Sequence, residues 1–362
     1  MDILYTYDIF SLQRYGGISR YYFELIKHIS PNMAAVKVIA GLYINEYIKT
    51  LPEVKGIKVP QIKFSNYIRL KISGLLQEVI LKTTHRQTIL HQTYYYQPII
   101  KWKGKVVLTV YDMISEIYSQ YCPDGDNISL LKRDWCERSD KIIAISHSTK
   151  NDLVRLFGIS PEKIVVIHLA SFLGGNQSLL SVKPFPEPYL LFVGKREYYK
   201  NFEGLIQAFA ASETLKRSFH IVCFGGEALS NIEKVRLKEL GIESRVHQVG
   251  GGDDVLCNYY RNALAFVCPS LYEGFGIPIL EAMEFSCPVI CSNTSSIPEV
   301  AGDAAVYFDP SDTASIQHTL EATLFDQNLL DDLRKRGLKR QSEFSWDRCA
   351  KETLAVYYSL LQ

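Results

Sequence analysis

Glu273 and Glu281 are separated by seven residues, which begin with Gly274-Phe275-Gly276. Glycines there let the main chain come close to a ligand. Pro278 suits the first turn of a helix, where its missing N–H costs nothing. The phrase reads as a buried strand over Leu264 to Cys268, a tight loop carrying Glu273, and a helix from near Ile277 that carries Glu281. A helix start at the carboxyl end of a strand presents unpaired N–H groups to an anion. An ordinary strand–turn–helix with two surface glutamates would share the spacing; the paired glycines are what favour a site. A second anion cradle is spelled by Val193-Gly194-Lys195-Arg196 and Lys200-Asn201, where three cations follow a strand and precede a helix. Lys and Arg converging on such a place can neutralise a diphosphate.

The elements that must hold these residues follow from the hydrophobic pattern. In the C-terminal part, strands are expected at 189–193, 219–223, 245–248, 264–268, 288–291 and 304–308. Helices are expected between them at 202–211, 229–240 and 253–261, from 277 onward, and at 312–324. Gly250-Gly251-Gly252 precedes the third of these helices, for which Asp253 is the expected N-cap. In the N-terminal part, strands are expected at 3–7, 36–40, 57–59, 88–91, 106–110, 141–144 and 164–167. A loop over 8–17 ends in Gly16-Gly17, and helices are expected at 18–29, 65–86, 128–138 and 148–157, the last closed by Gly158. Strands alternating with helices give parallel, doubly wound sheets. The fold class is therefore α/β. Two Rossmann-like domains, over 1–170 and 189–344, are expected to face a central cleft. Residues 171–188 lose all periodicity and read as a linker, and a helix from near Asp347 closes the chain within 345–362. The opening strand, Gly16-Gly17 and helix are not the dinucleotide fingerprint, which needs a third glycine and a distant acid.

Composition removes several alternatives. The chain has 362 residues, 47% of them hydrophobic, and a net charge of +1, so no nucleic-acid partner is indicated. The charge is uneven: residues 1–185 carry a net +8 and residues 186–362 a net −7. The basic half includes the amphipathic stretch 65–86, with Arg69, Lys71, Lys82 and Arg86, and the run Lys101-Trp102-Lys103-Gly104-Lys105. An anionic membrane surface is a candidate partner for this half; a solvated outer face on a core helix is the plainer reading of the same stretch. Eight scattered cysteines without a CxxC pair read as small core residues, not ligands. No signal peptide or apolar run of spanning length is present, so a reducing cytoplasmic location is expected, with the inner membrane face as a docking surface. Asp253-Asp254 and Asp331-Asp332 read as helix-start and surface charges, and no Asp-x-Asp metal motif stands where one would be needed.

Gly194, Lys200-Asn201 and Pro269-Ser-Leu-Tyr-Glu273-Gly-Phe-Gly-Ile-Pro-Ile-Leu-Glu281 resemble the retaining nucleotide-sugar glycosyltransferases of family 4, GT-B enzymes related to glycogen and sucrose synthases. Gly16-Gly-Ile-Ser-Arg20, Thr109-Val-Tyr-Asp112, Ile145-Ser-His-Ser-Thr149 and Ile297-Pro-Glu-Val-Ala-Gly302 extend the likeness nearly end to end. The resemblance implies that Glu273 lies against the donor sugar's hydroxyls and Glu281 binds the ribose. It implies that Gly274, Phe275, Gly276 and Ile277 hold sugar and phosphate through their backbone. Lys200, Lys195 and Arg196 would neutralise the diphosphate. Gly16 and Gly17 would close over it, and the chain near Gly250 would meet the base. The final helix, with Phe344-Ser-Trp346 at its start, would cross back to the first domain. Tyr111-Asp112 replaces the His-Asp that the family often carries, which leaves Tyr111, Asp112 and His91 as candidates on the sugar or acceptor side. The implied reaction is metal-independent hexosyl transfer with retention, by front-face displacement without a covalent nucleophile. UDP-glucose is the first donor expected and GDP-mannose the next, and the acceptor is a glycan or a lipid-linked sugar. No cofactor is expected. A GT-B nucleotide-sugar epimerase and a non-catalytic nucleotide-sugar binder are the alternatives, which donor incubated without acceptor would separate.

Overall fold

Seven short apolar segments near the N-terminus pair into one sheet: β1 (Asp2–Tyr5), β2 (Ala35–Tyr43), β3 (Val54–Lys58), β4 (Ile89–Gln92), β5 (Val106–Val110), β6 (Lys141–Ala144) and β7 (Ile164–Val166). Every pairing is parallel, in the order β3-β2-β1-β4-β5-β6-β7. The central strands β4 and β5 are buried along their whole length, as strands covered on both faces must be. A second parallel sheet holds β8 (Tyr189–Val193), β9 (His220–Phe224), β10 (Val246–Val249), β11 (Ala265–Cys268), β12 (Val289–Ser292) and β13 (Ala305–Phe308), ordered β10-β9-β8-β11-β12-β13. The computed structural model describes residues 1–29, 33–62, 66–95, 102–122, 125–174 and 183–361. It groups into two units, one of residues 1–169 with 345–362, the other of residues 170–344. Both are the doubly wound α/β arrangement that the alternating pattern predicts.

Several local expectations change. The stretch 8–17 is not all loop: α1 (Asp8–Leu12) forms there because Ile9 and Phe10 are buried against the first sheet's core. The Gly16-Gly17 turn then starts α2 (Gly17–His28). A short helix, Glu213–Ser218, was not expected; Ser212 caps it by accepting from the Leu215 N–H. Asp253 is not an N-cap. Gly252 holds that position, and Asp253 and Asp254 lie in the first turn, where they complement the helix dipole.

The largest departure is α3 (Asn66–Thr83), within the stretch read as basic and amphipathic. Its polar residues Arg69, Ser73 and Gln77 are buried, while Ile68, Ile72, Leu75, Leu76 and Val79 are exposed. The expected solvated polar face is reversed. Ser65 and Lys101 from the basic stretches lie outside the described residues, as do residues 175–182 of the expected linker. Ser171 and Leu173, at the start of that segment, are buried, and Ser171 donates to Glu284.

The final helix, Trp346–Ser359, is capped by Ser345, whose Oγ accepts from Arg348 N–H, and it groups with the first unit. Tyr357 ties it down: its hydroxyl lies 2.5 Å from His91 Nδ1 and 3.0 Å from the Tyr5 hydroxyl.

Candidate active site

In the second sheet the chain runs outward in both directions from the β8/β11 boundary, so the loops after these two strands meet at a topological switch point. That is where open α/β sheets leave room for a ligand. The β8 loop begins at Gly194, whose φ of +121° is a conformation side chains resist. It ends in a single turn, Tyr198–Lys200, and in Asn201 at φ +51°, whose amide donates to the Pro310 carbonyl at 2.8 Å. The β11 loop is stitched to it by the Leu271 N–H, which donates to the Tyr199 carbonyl at 2.7 Å. Two residues distant in sequence are thereby brought together: Lys200 Nζ lies 2.7 Å from Glu273 Oε1. Burial alone would depress the lysine's pKa; the glutamate beside it outweighs that and holds it above the ordinary value. Ser270 also donates to Glu273 Oε1, at 2.6 Å. Both side-chain bonds fall on that one oxygen.

The loop carrying Glu273 is held from the next strand as well. After β12, Thr294 donates to the carbonyls of Ser270 and Leu271. Ser295 accepts from the Glu273 N–H at 2.9 Å, and Ser296 donates to the carbonyls of Glu273 and Phe275 at 2.8 and 2.9 Å. Sequence reading missed this clasp, although the polar cluster Asn293-Thr-Ser-Ser296 between a strand and Ile297-Pro298 was its visible sign.

Gly276, at φ +103°, turns the chain into the helix Ile277–Glu284, with Pro278 in its first turn as expected. No side chain caps this helix start. Pro278 has no N–H and the Ile279 N–H donates to the Gly276 carbonyl at 2.9 Å, so the donors left at this end are the N–H groups of Gly276 and Ile277. Phe275 is anchored edge-on to Phe344, at 6.0 Å between ring centres. Glu281 is 7% exposed, and Tyr260 donates to its Oε2 at 3.1 Å. Tyr260 was also missed; it orients a carboxylate from the preceding helix. Gly250 lies in the exposed turn directly after β10.

The three cations of the β8 loop divide. Lys200 pairs with Glu273. Lys195 is exposed, 3.5 Å from Glu197. Arg196 is not part of a phosphate cradle: its guanidinium is buried and spent on Glu233, Gln248 and the carbonyls of Glu227 and Ala228. It staples the loop to β10 and to the helix Asn231–Glu239.

The first unit's candidates need similar correction. His91 is fully buried among Tyr5, Tyr22 and Tyr357, with Nε2 2.9 Å from the Thr109 hydroxyl, and burial pushes its pKa down to about 3. It is a neutral core histidine, not an acceptor contact. Tyr111 is likewise core, edge-on to Tyr21 and Tyr22. Asp112 is half-buried at the carboxyl end of β5; its Oδ1 accepts from Ile114 N–H and its carbonyl from the buried Lys132. Gly16 and Gly17 open α2. A side chain at Gly16 would strike the Gln13 amide, whereas Gly17 has open space around it.

Comparison with known proteins decides the family. Residues 15–170 match "Glycosyltransferase Family 4" and residues 181–340 match "Glycosyl transferases group 1". The chain belongs to the family 4 glycosyltransferases. This glycosyltransferase is 28% identical to O-antigen chain mannosyltransferase B of Escherichia coli over 94% of its own length and 95% of that protein's. It is 31% identical to the serotype-specific mannosyltransferase WbdA of Escherichia coli over 62% of its own length, which is 29% of that longer protein. Among solved structures it is similar to the sucrose-phosphate synthase of Thermosynechococcus elongatus, with a TM-score of 0.77 at 19% identity, covering 99% and 98% of the two chains. It also resembles Anabaena HepE, solved in complex with UDP and glucose, with a TM-score of 0.73 at 14% identity over 99% of each chain. These likenesses establish the fold as GT-B.

Proposed function

We propose that this glycosyltransferase moves a hexose from a nucleotide sugar to a glycan or lipid-linked acceptor in polysaccharide or glycolipid synthesis, with retention of anomeric configuration and without a metal ion. The observation that carries the reading is the Lys200–Glu273 pair beside an uncapped helix start at the switch point of the second sheet. Cleaving a sugar–phosphate bond builds positive charge on the sugar and negative charge on the departing diphosphate. Lys200, held charged by Glu273, and the N–H groups of Gly276 and Ile277 at the helix start supply fixed positive potential for the leaving group, the work a divalent ion does elsewhere. Glu273 Oε2 suits a sugar hydroxyl, and Glu281, oriented by Tyr260, suits the two ribose hydroxyls.

The relatives' names favour mannose over glucose as the sugar, so GDP-mannose moves ahead of UDP-glucose as the first donor to try. Relatives named for O-antigen chains, and one named for a diphospho-undecaprenol acceptor, support the acceptor class. Incubating the full chain with each donor in excess EDTA, and following the sugar by proton NMR, tests the proposal. Slow release of hexose whose first-formed anomer matches the donor supports retaining, metal-free chemistry. An epimerised nucleotide sugar, an inverted anomer, or release that EDTA abolishes would each contradict it.

A further inference from the structure

Three short passages of the first unit enclose a pocket at the carboxyl ends of its outer strands. Ile44 and Glu46 follow β2, Lys58 closes β3 with Val59 and Pro60 after it, and Arg14 follows α1. Together they line a cavity of about 440 Å3, within the range of small-ligand sites. Glu46 sits among three cations. Lys58 Nζ donates to its Oε2 at 2.6 Å and Lys49 Nζ donates to the same oxygen at 3.2 Å, while Arg14 Nε lies 3.4 Å from Oε1. Lys58, and then Lys49, holds the carboxyl down at about 2, so Glu46 is a carboxylate near neutrality.

A surface ion network that merely holds loops together is the plainer account of such a cluster, but main-chain bonds already do that here. The Ile44 and Asn45 N–H groups both donate to the Phe10 carbonyl at 3.2 Å. Glu46 N–H donates to the Arg14 carbonyl at 3.0 Å, and Val59 N–H to the Tyr43 carbonyl at 2.8 Å. The buried Asn45 amide adds a bond to the Gln13 carbonyl at 2.8 Å. Exposed ion pairs add little to walls tied in this way. The cations also keep donors to offer. The Arg14 side chain is 55% exposed, and its two terminal nitrogens make no hydrogen bond among the described residues. Its guanidinium is laid over the Tyr15 ring, 5.6 Å from the centre. Each lysine makes one contact with Glu46 and has further N–H donors.

Three cations against one carboxylate leave a net charge of +2. A guanidinium fork matches two oxygens of a phosphate, and a doubly positive surround suits a phosphate dianion better than a single carboxylate. Glu46 repels a bare anion and can only accept, so its own partner is a hydroxyl beside the phosphate. A sugar phosphate carries both groups. We infer that this pocket binds a phosphorylated sugar, with Arg14 and Lys58 on the phosphate and Glu46 on a neighbouring hydroxyl. In the proposed transfer that group belongs to the acceptor, a glycan whose sugar carries a phosphate or diphosphate link. This assignment to the acceptor rests on the transfer reading, whereas the pocket itself stands on the first unit alone.

Titration calorimetry of the full chain with glucose 1-phosphate, methyl glucoside, glucuronate and inorganic phosphate tests the inference. Glucose 1-phosphate is expected to bind at least tenfold more tightly than the other three. Arg14→Gln and Lys58→Gln, both at exposed side chains, should each weaken it about tenfold, and Lys200→Ala, in the second unit, should leave it unchanged. Glu46→Gln should instead strengthen inorganic phosphate severalfold and erase the preference for the sugar phosphate, because the repelling acceptor is gone. Thermal melts matching the parent chain show that each variant is folded. Equal glucose 1-phosphate affinity in the parent chain, Arg14→Gln and Lys58→Gln would overturn the inference. So would glucuronate or inorganic phosphate binding as tightly as the sugar phosphate, or a loss in Lys200→Ala, which would put the ligand in the donor site. Titrating GDP-mannose and UDP-glucose into the same proteins separates the two readings. A donor bound without any sugar phosphate overturns the pocket alone; a sugar phosphate bound without either donor overturns the transfer reading alone.

Discussion

At the scale of single residues, the site rests on a charge held in place by its counter-charge. Removing either partner leaves the other largely buried and unpaired, which is costlier than removing both. Glu273→Gln and Lys200→Ala should each lower the transfer rate by roughly two orders of magnitude or more while the chain stays folded, as steady-state rates and circular dichroism would show. A second residue-scale prediction concerns two buried groups of opposite sign in the first unit. Burial takes His91 from 6.5 to about 3, so between those values the unfolded chain binds a proton that the folded chain refuses. Stability on this account falls as pH drops from 6.5 toward 3. Burial lifts the Asp8 carboxyl from 3.8 to about 7, despite hydrogen bonds from Thr6 and Gln92, so here the folded chain keeps a proton that the unfolded one releases. Stability on this account falls as pH rises from 3.8 toward 7. The two slopes, each at most about 1.4 kcal/mol per pH unit, oppose one another over the shared window. Asp8→Asn should therefore melt at steeply lower temperature on acidification, and His91→Gln should lose less than the parent chain or gain. Parallel curves of Tm against pH for all three would contradict the assignment. The strand–loop–helix phrases that carry Lys200, Glu273 and Glu281 were legible in the sequence because each is local. Arg196 was misread because its partners Glu233 and Gln248 lie 37 and 52 residues away, and spacing along the chain does not reveal which cation a distant carboxylate will claim.

At the scale of elements, the β11 loop owes its shape to a neighbouring loop. Ser296 donates toward two carbonyls of that loop, so Ser296→Ala strips a donor from beneath Glu273 and Phe275. The variant should lose about 1–3 kcal/mol of stability and, because Glu273 is displaced, more in kcat than in donor affinity. Chemical denaturation and steady-state rates measure both; unchanged kcat would show that the clasp is only structural. The strand–helix alternation, the Gly276 turn and the Gly158 stop were readable because each is a local backbone requirement. The reversed face of α3 was not. Its charges and apolar residues alternate closely enough that either side is a plausible interior, and what decides between them is Arg69 reaching Ser11 and Ser73 reaching Leu42, contacts made only once the sheet has formed.

At the scale of the whole molecule, the C-terminal helix belongs to the unit built by the start of the chain. Tyr357 completes the hydrogen bonding of Tyr5 and His91 in the first sheet's core. Ending the chain after Phe344 should therefore lower the melting of the first unit and leave that of residues 170–344 nearly unchanged. Calorimetry should show one transition moving and one staying; a common shift of both would mean that the helix stabilises the units together. The central claim is that the second unit binds a nucleotide sugar with Lys200 against its diphosphate. Titration calorimetry of GDP-mannose and UDP-glucose into the full chain and into Lys200→Ala, in EDTA, tests it most directly. One of the two donors should bind the parent chain and bind Lys200→Ala at least tenfold more weakly. Binding of neither donor, or equal binding to both proteins, would contradict the account.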